Sequence, residues 1–221
     1  MPPRFAWVAR AWLIISLMAA LLFIAEVGRD SVTARVILKT LPVFGLIGWA
    51  LSAAHDRYAR LIVAGLFFCL IGDELLEIGD DLFVPGLIAF LIGHVWYIAA
   101  FLSITRAWKW PRLLPFAAWV VAAYLGLLPN LQDMTLPVAA YVVVIGAMMW
   151  RASAMLEDPA ARWQWLALSG ALLFGLSDTL LAFKKFNGLV IGPSFTVIVL
   201  YWLGQLGLAF SVRRGPAARN G

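Results

Sequence analysis

The chain has 221 residues, of which 63% are hydrophobic and only 13% charged, about half the roughly 25% charged share of an ordinary soluble domain. With a mean hydropathy of +0.91 and with 14 Phe and 11 Trp, it has more apolar surface than one soluble core of this length buries, so lipid must cover the rest. The formal charge of +5 does not mark a nucleic-acid binder, because the cations sit between apolar stretches rather than in a basic run interleaved with polar residues.

Arg4 and Arg10 flank the start of an apolar run from Ala11 to Ala25 that is too long for the apolar region of a typical secretory signal. It is taken as a retained first helix. Apolar runs of roughly 20 residues then fall near 5–25, 34–54, 59–78, 83–104, 110–129, 135–154, 161–184 and 193–213. These predict an all-α, polytopic bundle of eight transmembrane helices, a single membrane domain over 1–221. The connections hold only a handful of residues, so function must lie within the membrane. Cys69, alone in an apolar run, can form neither an intramolecular disulfide nor a thiolate zinc site.

Sorting Lys and Arg by side puts twelve with the N-terminus, Arg57, Arg106, Arg151, Arg214 and Arg219 among them, against five opposite: Arg29, Arg35, Lys39, Lys184 and Lys185. The positive-inside rule then places both termini in the cytoplasm. Trp108, Trp110 and Trp163, near span ends, are expected in the aromatic belt. An internal echo also appears: Gly72-Asp73-Glu74-Leu75-Leu76 lies over Ser177-Asp178-Thr179-Leu180-Leu181 at a shift of 105 residues. Each echo is followed by a helix with polar groups, His94 and Tyr97 in one case, Tyr201 and Gln205 in the other. This suggests a four-plus-four repeat in one orientation.

An ionisable side chain in the hydrocarbon costs about 2.5–3.5 kcal/mol on insertion scales, so each intramembrane acid demands a local reason. Asp73 and Asp178 both fall in the outer half of their spans, Lys39 lands at similar depth, and His94, Tyr97, Tyr201 and Gln205 come nearer the midplane. Asp73, Glu77 and Asp80 follow i, i+4, i+7 on one helical face. The expected arrangement is a bundle enclosing a polar pocket that opens toward the outer side. Structural pairing of Asp73 or Asp178 with Lys39 is the rival explanation for the acids. For His94 and Tyr97, interhelical hydrogen bonding and ligand contact stand equal. Glu74 and Glu77 lie near enough the surface to be solvated, and Glu77 is kept as a substrate contact. A histidine-built zinc site fails because His55 belongs to a connection and only His94 is in the polar layer. No metal or cofactor is expected, and Ser177 lacks a histidine that would make it a hydrolase nucleophile.

Five segments in order then carry a family resemblance: Lys39-Thr40-Leu41-Pro42, Ile71-Gly72-Asp73-Glu74-Leu75-Leu76, Gly93-His94-Val95-Trp96-Tyr97-Ile98-Ala99, Leu176-Ser177-Asp178-Thr179-Leu180-Leu181 and Tyr201-Trp202-Leu203-Gly204-Gln205. From span two to span eight the sequence resembles the YhhN-like lysoplasmalogenase family of eight-helix membrane proteins. Thr40 departs from the family pattern, which often reads Lys-Pro, while Pro42 keeps a proline nearby. The resemblance implies hydrolysis of the vinyl-ether bond of a lysoplasmalogen, a lysophospholipid, to a fatty aldehyde and a glycerophospho-ethanolamine or glycerophosphocholine. It also implies that Asp73 and Asp178 are the catalytic acids, one carboxylic acid and one carboxylate dividing the work as they do at a glycosidic bond. Lys39, Tyr97, Tyr201 and Gln205 would then bind phosphate or glycerol hydroxyls. The rivals from other classes are a proton-coupled small-molecule or lipid transporter, which intramembrane Asp, Lys and His on a repeat would also suit, and a structural scaffold.

Overall fold

A chain whose solvent is lipid must satisfy its backbone hydrogen bonds internally, and a helix does so within one segment. The computed structural model describes residues 6–26, 32–52 and 56–212, and there the chain forms eight α-helices and no strand. They are α1 (Ala6–Glu26), α2 (Val32–Leu51), α3 (Arg57–Ile78), α4 (Phe83–Ile104), α5 (Leu114–Leu127), α6 (Thr135–Ala154), α7 (Arg162–Asn187) and α8 (Thr196–Val212). Arg4, Arg29, His55, Arg214 and Arg219 lie outside the described residues.

The predicted spans return with ends moved by a few residues, and the fifth changes most. Its α-helix is trimmed to 14 residues, with 3-10 turns at Trp110–Arg112 and Leu128–Asn130 built around Pro111 and Pro129, which supply no N–H and fix φ. Among the described residues, six helices are long and apolar enough to cross a membrane, and the chain is an integral membrane protein. The other two miss for opposite reasons: α3 carries Asp73, Glu74 and Glu77 near its end, and α8 has only 17 residues.

Local chemistry fixes several ends. Asp56 caps α3 by accepting from the Ala59 N–H at 2.7 Å, satisfying a donor with no helical partner. At the α6–α7 connection the buried Gln164 accepts from the Ala161 N–H at 2.8 Å and donates to the Met155 carbonyl at 2.7 Å. Lys109 and Arg112 donate to the Leu156 carbonyl, each at 3.0 Å, where cations complement the free carbonyls at the end of α6.

The most extensive pairings are α3 with α4 and α7 with α8, and both hairpins cross at a glycine. A Cβ on Gly93 would lie 2.5 Å from Cys69 Sγ and 3.1 Å from the Gly65 carbonyl oxygen. A Cβ on Gly204 would lie 2.9 Å from the Phe174 nitrogen and 3.0 Å from the Gly170 oxygen. Gly65 and Cys69 map onto Gly170 and Phe174 under the same shift of 105 residues that relates the acids. The sequence echo is therefore also an echo in packing. It pairs His94 with Gln205, each following its crossing glycine, rather than the His94/Tyr97 and Tyr201/Gln205 sets as whole units. Beyond the hairpins, the contact of α4 with α6 has its counterpart in α8 with α2, whereas that of α3 with α8 has no counterpart as extensive between α7 and α4.

Candidate active site

Where α2 meets α3, Lys39 Nζ lies 2.8 Å from Asp73 Oδ1 and 3.2 Å from Glu77 Oε2, and donates to the Asp73 carbonyl at 3.3 Å. An ammonium has three N–H donors, and all of Lys39's are thereby taken by α3. One turn before it, Arg35 Nε donates to Glu77 Oε1 at 3.1 Å, and Thr40 bonds Glu74. Lys39 is thus ion-paired with Asp73 through Oδ1, an arrangement open to both the structural and the functional reading of the pair. Asp73 Oδ2 is buried and has no hydrogen-bond partner, and Asp73 lines a cavity of about 460 Å³.

Asp178 lines the same cavity from α7 in a different setting. Its Oδ2 accepts from Tyr141 Oη of α6 at 2.7 Å, and the wholly buried His94 holds Nε2 3.5 Å from that oxygen, at the outer limit of a hydrogen bond. Phe174 packs on the His94 ring with centroids 4.7 Å apart. Among the described residues no lysine or arginine pairs with Asp178. The two acids thus face one space, the first against a lysine, the second against a phenol, an imidazole and hydrocarbon.

Ser177 and Tyr201 join them on the cavity wall, with Arg35 and Lys184; Lys184 is exposed. Tyr201 Oη donates to the Cys69 carbonyl at 3.2 Å. A second space begins on the other side of Asp178, an apolar crevice lined by Leu87, Trp119, Val142 and Phe186. Asp178, Phe90, Leu76 and Leu181 stand in the walls of both.

The sequence candidates are not all brought together. Asp73, Asp178, Lys39, Glu77 and Tyr201 line the cavity, and His94 touches Asp178 from behind. Tyr97 and Gln205 do not line it; Tyr97 Oη donates to Gln205 Oε1 at 2.6 Å and both are wholly buried, so they hold α4 against α8 instead. Asp80 leaves the Asp73 face because α3 ends at Ile78, and it pairs with Lys185 at 2.5 Å. Trp163 is no belt residue either: it is buried, edge-on to Tyr58 at 5.6 Å. Sequence reasoning missed Tyr141, whose signal was a phenol well inside an apolar run, and the cations Arg35 and Lys184 at the cavity. Among the described residues no group of three or more His, Cys, Asp or Glu gathers to hold a metal ion.

Fold and site define a polytopic membrane protein with two unlike buried acids on one cavity. The sequence profile of the YhhN family matches residues 34–212, and the chain belongs to that family. It is 35% identical over 188 residues to the human protein named lysoplasmalogenase TMEM86B, covering 83% of this chain and 77% of that one. It is 34% identical over 187 residues to the Bos taurus lysoplasmalogenase TMEM86A, covering 79% and 76%. A Mycobacterium bovis protein named lysoplasmalogenase is 32% identical over 165 residues, 69% of this chain and 60% of that one. No solved structure matches the chain.

Proposed function

We propose that the protein is a lysoplasmalogenase, hydrolysing the vinyl-ether bond of a lysophospholipid in the membrane, with Asp178 as proton donor and Asp73 as the carboxylate. The observation that carries this reading is the unlike partnership of two acids on one cavity. A carboxylate in low dielectric without a cation is costly, so Asp178, facing Tyr141 and aromatic rings, is best kept neutral. Asp73 has Lys39 against it and remains charged. In the proposed sequence Asp178 gives its proton to the alkene carbon remote from the ether oxygen, and positive charge spreads over the adjacent carbon and that oxygen. Asp73, through its free Oδ2, stabilises this cation and takes a proton from the water that adds to the carbon. The hemiacetal so formed collapses to fatty aldehyde and glycerol hydroxyl, and the proton on Asp73 returns to Asp178.

The apolar lining of the crevice at Asp178 suits the alkenyl chain, and since the crevice holds only about 40 Å³ as it stands, its walls must part to admit one; Lys184 and Arg35 suit the phosphate. The relatives above carry a hydrolase's name, and the transporter reading has no counterpart among them. Both termini are assigned to the cytoplasm from the lysine and arginine asymmetry, which sets the cavity nearer the opposite face. Purified protein supplied with a lysoplasmalogen tests the reading by aldehyde release, and the matching 1-acyl lysophospholipid, scored for fatty-acid release, is the control. Aldehyde from the first and no fatty acid from the second are expected; no aldehyde would overturn the reading.

A further inference from the structure

The end of the bundle away from the two acids holds a second cavity, of about 540 Å³, lined by Arg57, Arg106 and Arg151. Arg57 opens α3 sixteen residues before Asp73, roughly 24 Å along the helix, so this space is separate from the first. Arg151 is 4% exposed. It donates to the Ala107 carbonyl at 2.9 Å and the Thr105 carbonyl at 2.5 Å, while its Nε, also buried, has no partner. Among the described residues no carboxylate pairs with any of these three arginines. Their neighbours Lys109 and Arg112 differ, since they donate to carbonyls ending α6.

A buried guanidinium met by carbonyl dipoles and by the Trp150 ring 5.2 Å away, but by no carboxylate, keeps its charge unneutralised, and an anion close by would neutralise it. The other walls are not those of a site for a small hydrated ion. Ile98 and Leu102 of α4 and the Trp108 and Trp150 rings, 5.2 Å apart, make most of the remaining lining apolar, and the one hydroxyl there, Ser103, donates to the Ala100 carbonyl of its own helix. An occupant must therefore be anionic at one end and fatty along its side. We propose that this cavity binds an anionic phospholipid, phosphate among the arginines and one chain along α4. Cationic pockets between membrane helices recognise lipid headgroups by this combination of charge and apolar wall. The lipid would brace the loop that Arg151 holds, and it has no part in the carboxylate chemistry.

The test is native mass spectrometry of the intact protein released from micelles containing either dioleoyl phosphatidylglycerol or dioleoyl phosphatidylcholine. One retained phosphatidylglycerol is expected, held at least tenfold more strongly than phosphatidylcholine. Because a cationic side chain near an anionic lipid is worth about a factor of five, the exposed-residue variant Arg57→Gln/Arg106→Gln is expected to bind it about 25-fold more weakly. Its melting temperature without lipid and its aldehyde release should match those of the unaltered protein. Asp178→Asn should keep the adduct, which separates this site from the carboxylate cavity. Equal retention of both lipids, or an adduct that survives the double arginine variant, would overturn the proposal. So would displacement of the lipid by millimolar inorganic phosphate, which would make a free ion the ligand.

Discussion

Lys39 Nζ and Asp73 Oδ1 stand 2.8 Å apart, both nearly out of solvent, and Glu77 Oε2 completes the grip at 3.2 Å. Among the described residues no lysine or arginine pairs with Asp178 in this way. The same substitution at the two acids therefore has different consequences. Asp73→Asn and Asp178→Asn should each lower aldehyde release at least about a hundredfold, since general acid–base catalysis is worth roughly 10²–10⁴-fold. Asp178→Asn should melt no earlier than the unaltered protein, because no cation is stranded. Asp73→Asn leaves Lys39 with Glu77 as its one charged partner and should melt earlier. Melting temperature and turnover measured on the same samples check both; normal turnover per folded molecule in either variant would refute the catalytic assignment.

Tyr141→Phe removes the hydroxyl that meets Asp178 Oδ2 at 2.7 Å while keeping the ring. Asp178 gains negative charge as it gives up its proton, and a hydrogen bond to a charged group is worth about 1.5–3 kcal/mol, so kcat should fall about tenfold or more with KM little changed. Steady-state kinetics at several pH values checks this, and the pH profile should shift, which a purely structural loss would not produce.

The crossing glycines give a stability prediction. Gly93→Ala and Gly204→Ala both overfill a helix crossing, an error that costs about 1–3 kcal/mol. At Gly93 the nearest obstacle is the Cys69 sulfur at 2.5 Å, whereas at Gly204 it is backbone at 2.9 and 3.0 Å. Adding Cys69→Ala should therefore restore much of the melting temperature lost in Gly93→Ala. Phe174→Ala should give no such rescue to Gly204→Ala.

Orientation is checked by labelling. Arg106 and Asp133 are exposed in connections at opposite ends of the bundle, and Cys69 is buried. In intact cells an impermeant maleimide should label Asp133→Cys and leave Arg106→Cys untouched until the membrane is opened.

The eight helices were legible because a span announces itself by composition over some twenty residues, with no knowledge of neighbours. Asp73 and Asp178 were legible for the same local reason, as charges where the solvent is hydrocarbon. Partnership was not legible, because it depends on how each helix is rotated against the next. His94 and Tyr97 lie on one helical face, yet one reaches Asp178 and the other locks onto Gln205. Tyr141 comes from a stretch of α6 with no charged residue before Arg151, and only the packing of α6 on α7 gives it an acid to meet.

Asp178 stands in the wall of both the polar cavity and the apolar crevice, so under the proposed reaction the two products begin their departure in different phases. The glycerophospho-base is released among Arg35 and Lys184, on a path to water. The aldehyde is released among leucine, valine and phenylalanine side chains, on a path to the bilayer. Neither product has to cross the other's medium to leave, and the long-chain aldehyde, which water would hardly dissolve, starts out on the side of Asp178 that is lined by hydrocarbon.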